Sequence, residues 1–139
     1  MYSKKCGNTW AVRLEIGEEV LESIASLCKK ENIHCAEISG IGAASNAVTG
    51  IYNIEEKKYC RKEYRELMEI VSLLGSVTQK DGEPYLHIHA LFAGNSCGLV
   101  GGHLISATVG ITAEIFLREI DGEIGRTAHP VTGINVLDI

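Results

Sequence analysis

Apolar and polar residues alternate with a period of two along most of the chain. Trp10, Val12, Leu14 and Ile16 alternate with Ala11, Arg13 and Glu15, which predicts a first strand over 10–16. Gly17 ends it and the period changes. Val20, Leu21, Ile24, Ala25, Leu27 and Cys28 form one apolar helical face, so a helix is predicted over 18–31. Glu18 and Glu19 fall in its first turn and Lys29 and Lys30 in its last, complementing the helix dipole. Strand patterns return over 33–39, ending in a tight turn at Gly40-Ile41-Gly42, and again over 47–54. Residues 57–65 read as an exposed, charged strand or ribbon, and 67–77 as a buried strand. Asp81-Gly82-Glu83-Pro84 is a turn signal leading into an alternating segment over 85–92. A long strand follows over 107–120, with Val109, Ile111, Ala113, Ile115 and Leu117 on one side. Asp121-Gly122 suggests a hairpin turn, and the tail from Pro130 to Ile139 a last edge strand.

One helix among about seven strands predicts an α+β domain. Residues 1–139 form a single unit whose largely antiparallel or mixed sheet carries the helix across one face. Fifteen glycines against two prolines fit such a strand-rich, turn-rich chain. The hydrophobic fraction of 45% and charged fraction of 22% exclude a disordered polypeptide.

The formal net charge of −5 argues against nucleic-acid binding through the overall field. Lys57, Lys58, Arg61, Lys62 and Arg65 interleave with Tyr59 and Tyr64, but Glu55, Glu56, Glu63, Glu66 and Glu69 share the stretch, which favours a solvated strand over a phosphate-binding face. Five cysteines without a Cys-x-x-Cys pair fit reduced thiols in a cytoplasm. The N-terminus lacks the apolar core of a signal peptide. The uncharged stretch from Gly94 to Ala113 matches the roughly 20 residues of a membrane span in length. Its glycines and its Asn, Ser, Thr and His residues instead make it a turn followed by buried strand. The expectation is a cytoplasmic protein with no membrane segment.

The chemistry concentrates on three histidines. In Tyr85-Leu86-His87-Ile88-His89-Ala90-Leu91-Phe92, residues two apart project to the same side of a strand, so His87 and His89 share a face. His103 follows beside a Gly-Gly turn that lets the backbone approach that face. Three imidazoles offer a divalent metal, zinc first, three nitrogen ligands and an open fourth position. The plainer reading is that these histidines hydrogen-bond across a sheet or subunit interface. Cys97 is a candidate fourth ligand, although free cysteines more commonly pack as bystanders. Glu114, placed on the next strand, is the candidate to orient an imidazole or to act as a base toward water at the metal; its plainer role is a surface carboxylate. His34 and His129 read as surface histidines. Gly40-x-Gly42 has the spacing of a dinucleotide loop, but Ser45 stands at the third position and no helix follows. No nucleophile elbow, Walker loop or His-Glu-x-x-His motif occurs.

The order of these pieces resembles the PPC domain, the domain shared by plants and prokaryotes and found in plant AT-hook nuclear proteins. The resemblance rests on Arg13-Leu14 with Gly17-Glu18, on Ile38-Ser39-Gly40-Ile41-Gly42-Ala43 and on Glu69-Ile70-Val71-Ser72-Leu73-Leu74-Gly75. It continues through Asp81-Gly82-Glu83-Pro84-Tyr85-Leu86-His87-Ile88-His89-Ala90 and Gly98-Leu99-Val100-Gly101-Gly102-His103-Leu104. It implies an α+β fold that assembles as a homotrimer and, for prokaryotic members, a metal site carried onto His87, His89 and His103 alone. It also implies association with DNA or with a transcription regulator. The chain departs from the plant members in lacking an Arg-Gly-Arg-Pro hook, and Glu66-Leu67-Met68-Glu69-Ile70-Val71 stands where they carry Gly-Arg-Phe-Glu-Ile-Leu.

The leading expectation is a stand-alone prokaryotic PPC protein, a cytoplasmic trimer that binds zinc or another divalent metal, in a regulatory, ligand-binding or DNA-associated role. A metal-dependent enzyme of hydrolase or lyase type assisted by Glu114, and an interaction module with structural histidines, are the alternatives.

Overall fold

The computed structural model describes residues 1–139. Nine strands and one helix follow in the order β1 (Tyr2–Cys6), β2 (Thr9–Glu15), α1 (Val20–Glu31), β3 (Ala36–Asn53), β4 (Lys58–Tyr64), β5 (Met68–Lys80), β6 (Glu83–Gly94), β7 (Gly98–Glu119), β8 (Gly125–Ala128) and β9 (Asn135–Asp138). The fold is α+β, as the periodicity predicts. Seven strands form one sheet in the order β1-β2-β7-β6-β5-β3-β4, and β8 and β9 pair separately. Every pairing is antiparallel.

A further pairing of β7 with β3 closes β3, β5, β6 and β7 into a ring. The side chains inside it, among them Ile38, Leu73, Ile88, Phe92, Ile115 and Leu117, belong to a single buried cluster of 25 residues. Helix α1 covers this cluster with Val20, Ile24, Leu27 and Cys28 and packs on β6 and β7. At 12 residues it is too short to be stable by itself. Full burial of Ile24 and Leu27, at about 1.5–3 kcal/mol each, holds it in place.

The structure refines several boundaries. The helix starts at Val20, not at residue 18: Glu19 is the N-cap, its carboxylate accepting from the Glu22 N–H at 2.7 Å and from the Ala107 N–H at 2.8 Å. Glu18 instead accepts from the N-terminal ammonium of Met1 and the Glu15 N–H. Asn32, left-handed at φ 56°, ends the helix.

Gly40-Ile41-Gly42 is no turn. The two strands expected around it are one bent strand, β3, whose register against β5 shifts between Gly40 and Gly42. Close packing requires the glycine: a Cβ on Gly42 would lie 2.3 Å from the Thr112 carbonyl oxygen. Likewise, Gly101-Gly102 is not a turn but lies within β7, which begins at Gly98 and runs unbroken to Glu119. Asp121-Gly122 makes no β7–β8 hairpin, because β8 pairs only with β9. Residues Tyr2–Cys6, which carry no clear apolar alternation, form an unanticipated edge strand joined to β2 by a turn at Gly7. No helix is long and apolar enough to cross a membrane.

Gly75 sets the spacing between β5 and β6 directly behind the histidine pair. It stands opposite Ile88, and a Cβ there would lie 2.2 Å from the His87 carbonyl oxygen and 2.8 Å from Ile88 Cα. Gly75→Ala should therefore destabilise the fold by about 1–3 kcal/mol, the usual cost of overpacking. Gly125→Ala, whose new methyl group would meet nothing nearer than 3.6 Å, should cost much less. Urea denaturation midpoints check both, and equal midpoints would remove the spacing role assigned to Gly75.

Candidate metal centre

Alternation along β6 puts His87 and His89 on one side while Ile88 and Ala90 enter the core. The β6–β7 ladder then sets His103 directly opposite His89. Glycines let the strands approach: a Cβ on Gly101 would stand 2.5 Å from the Ala90 carbonyl oxygen, and one on Gly102 2.9 Å from that of Gly50. The expected close approach is present without the expected turn.

The three imidazoles converge. Ring centroids lie 5.3 Å apart for His87 and His89, 5.4 Å for His87 and His103, and 5.6 Å for His89 and His103. One ligand nitrogen from each falls within 4.8 Å of the others. Tetrahedral bonds of 2.0–2.1 Å would require nitrogens roughly 3.3 Å apart, so small ring rotations suffice to enclose one ion. The donor set also fits a borderline metal, because all three donors are imidazoles. His103 Nδ1 is buried and has no hydrogen-bond partner. A buried polar atom without a partner is uncommon in folded proteins and marks a position that a ligand can satisfy.

Burial, followed by the neighbouring charges of His87 and His89, pushes the His103 pKa down to about 4. Burial also lowers that of His87, with smaller contributions from His89 and Arg126. Both effects favour the proton-free form that a metal needs.

Residues from the charged ribbon and the tail complete the surroundings. Tyr59 of β4 stacks on His103 at 4.6 Å and 21°. Gly50, opposite His103 in the β3–β7 register, leaves it room: a Cβ there would lie 2.9 Å from the Tyr59 ring. Tyr52 meets Tyr59 edge to face at 5.1 Å, and its hydroxyl donates to the Thr132 carbonyl at 2.6 Å. The loop before β9 is thereby drawn over the histidines. A cleft of about 230 Å³ results, lined by His87 and His103 together with Tyr52, Tyr59, Tyr85, Lys57, Ile134 and Asn135. Arg126 of β8 lies with its guanidinium 5.0 Å from the centre of the Tyr85 ring and donates to Thr78 Oγ1 at 2.8 Å and Ser76 Oγ at 3.3 Å.

Other candidates lie elsewhere. Glu114 is on β7 itself, paired with Arg13 and Ile41, and lines a separate cavity with Tyr2, Arg13 and Phe116. Cys97 sits at the far end of the β6–β7 hairpin, where its N–H donates to Glu66 and its thiol to the Gly98 carbonyl. Neither is brought to the trio. His129 is not a plain surface residue, since its Nδ1 accepts from the Val131 and Thr132 N–H groups and shapes the loop over the cleft. His34 pairs with Glu123 at 3.1 Å. Tyr59 and Lys57 stood in the sequence as parts of a charged ribbon, and Arg126 carried no signal at all. Their places depend on long-range pairings that local pattern does not encode.

Comparison with curated proteins gives no match. Among solved structures, the chain is similar to a candidate DNA-binding protein from Bacteroides thetaiotaomicron, at 31% identity and a TM-score of 0.94 over 99% of this chain and 96% of that one. It is similar to a metal-containing protein from Archaeoglobus fulgidus, at 37% identity and a TM-score of 0.88 over 96% and 94%. A plant- and prokaryote-conserved protein from Pyrococcus horikoshii matches at 39% identity and a TM-score of 0.88 over 96% and 92%. The family model of the Plants and Prokaryotes Conserved (PCC) domain matches residues 1–121. With the histidine strand and the Gly-Gly-His segment inside the matched region, the chain belongs to the Plants and Prokaryotes Conserved domain family.

Proposed function

We propose that this protein binds a divalent metal, zinc foremost, through His87, His89 and His103, and serves a regulatory or ligand-binding role as a homotrimer. The observation that carries the metal is the convergence of three imidazoles, one of which, His103, has a buried nitrogen without a hydrogen-bond partner. The metal content of the Archaeoglobus fulgidus relative supports it. Five unpaired thiols suit the reducing cytoplasm as the place of action.

The homotrimer is what the resemblance to the family implies, and a row of side chains across the sheet supports it. Phe116, Ser39, Leu74 and His89 stand opposite one another in succession on β7, β3, β5 and β6. Leu74 is 58% exposed and Phe116 50% exposed, and Ile41, Val71 and Ile111 are also exposed on β3, β5 and β7. So much apolar surface on one chain marks an interface. The row reaches His89, so in such a trimer the proposed metal centre would lie beside a neighbouring subunit.

DNA association is carried by the description of the Bacteroides relative. In this chain two of the ribbon's five basic side chains meet acidic partners, Lys58 with Glu56 and Arg65 with Glu63, both at 2.8 Å, and the net charge is −5. Ligand binding is therefore the better-supported role. The enzyme reading loses its proposed base, because Glu114 lies away from the histidines and no carboxylate lines the cleft.

Purified protein should carry about one zinc per chain by elemental analysis, and His87→Ala/His89→Ala should carry none. Free zinc at about a hundredfold over its Kd should add about 2.7 kcal/mol to the stability of wild type, a rise of roughly 10 °C in Tm. Equal zinc in both proteins would remove the site. Light scattering should give about three times the chain mass of 15.1 kDa, and Leu74→Lys should lower it. A monomeric wild type would refute the assembly.

In metal-free protein the His103 pKa is about 4 when folded, against an ordinary value of 6.5. The unfolded chain thus takes up a proton first as the pH falls, so stability is full above about 6.5 and declines toward about 4. His87 acts in the same direction. Urea midpoints over this range should fall less steeply for His103→Gln than for wild type. Parallel slopes would show that the His103 ring is not held neutral.

A further inference from the structure

We propose that the cleft over the histidines binds a small carboxylate with a flat apolar body, the carboxylate facing Lys57 and the hydroxyls of Tyr59 and Tyr85 and the body lying against the cleft's aromatic and apolar wall. The claim deepens the metal reading and takes its strongest anchor from it, but the cleft's own residues carry the argument.

Beside the two histidines, several of those residues can donate. Lys57 lines the cleft and makes no ion pair, although its neighbour Lys58 is paired with Glu56. The Tyr85 hydroxyl lies 3.4 Å from the Asn135 side-chain nitrogen, which donates to it and leaves its own proton free to donate elsewhere. Tyr59, which also lines the cleft, carries a second hydroxyl. No aspartate or glutamate lines the space, in a chain with 18 acidic residues against 13 basic ones. Arg126, also without a carboxylate partner, stacks against the Tyr85 ring and holds a fixed positive charge behind the wall. Such a lining, with donors and no carboxylate, favours an acceptor that carries negative charge.

Size and shape narrow the class. At about 230 Å³ the cleft is smaller than the roughly 300–1,000 Å³ typical of drug-sized ligands, so it takes a small metabolite and excludes a nucleotide. Tyr52, Tyr59 and Tyr85 line the cleft together with Ile134, so its wall is largely aromatic and apolar. Flat apolar bodies pack best on such surfaces. Carboxylate oxygens are also ligands that a zinc with three imidazoles accepts in its open position.

Benzoate is the probe, with benzamide as its neutral counterpart of the same shape and inorganic phosphate as an anion without a flat body. Binding to the full chain, zinc-loaded and metal-free, is read by ligand-observed NMR alongside zinc content. Benzoate should bind the zinc-loaded protein, with benzamide and phosphate each at least about tenfold weaker. Lys57→Met and Tyr59→Phe should each weaken benzoate on the order of tenfold, the usual effect of losing a hydrogen bond to a charged group, while leaving zinc content and Tm unchanged. Equal binding of benzamide or phosphate overturns the proposal, as does benzoate binding that neither substitution alters. Zinc bound without benzoate binding sinks the carboxylate site and spares the metal. A protein without zinc that still binds benzoate through Lys57 and Tyr59 sinks the metal and keeps this site.

Discussion

Strand β7 is hydrogen-bonded along both edges, and the rest of the structure depends on that. One edge takes β2 near its C-terminal end and β6 near its N-terminal end, while β3 runs along the other. The ring closes through this strand, and the buried cluster exists because the ring is closed. The same ladder that closes it brings His103 opposite His89, so the site is a by-product of the closure. A strand paired on both sides cannot slip by one residue without turning its core-facing side chains outward. Leu104, Ala107, Val109, Ala113, Ile115 and Leu117 are all buried on β7, which fixes the register and with it the position of His103.

Close strand approach is the second constraint, and glycines meet it. Gly42, Gly75 and Gly101 each sit where a Cβ would come within 2.5 Å of a facing backbone oxygen. Two of these contacts are on β6, at the His87 and Ala90 carbonyls, so both flanks of the histidine strand are held near by residues without side chains. The imidazoles gain rigidity from their strands, not from hydrogen bonds; the contact that steadies His103 is the Tyr59 ring.

These arrangements explain what could be read from the sequence. The helix and the histidine pair were legible because both depend on periods of a few residues. Glycine was the misleading signal. In Gly40-Ile41-Gly42 and Gly101-Gly102 it suggests turns, whereas the chain uses it for bulges and contacts inside long strands. That error also displaced Glu114. With a turn before a new strand it seemed near the histidines. In a continuous β7 it stands eleven residues beyond His103, on the order of 35 Å along extended chain. The cleft walls come from β4 and the β8–β9 segment, whose positions follow from pairings with distant strands and leave no trace in local pattern.

Electrostatics ties the metal and the cleft together. Lys57 and Arg126 set two positive charges near three imidazoles with no carboxylate among them. Burial and, to a smaller extent, Arg126 disfavour a proton on His87, which clears its nitrogen for a metal. The two positive charges disfavour the metal's own charge as well. An anion in the proposed cleft site, beside Lys57, offsets this conflict. Under the proposed occupancy each ligand therefore raises the affinity of the other by the same factor, as linkage requires. Under that proposal, three imidazoles beside unbalanced positive charge hold the metal most tightly when the small anion is present.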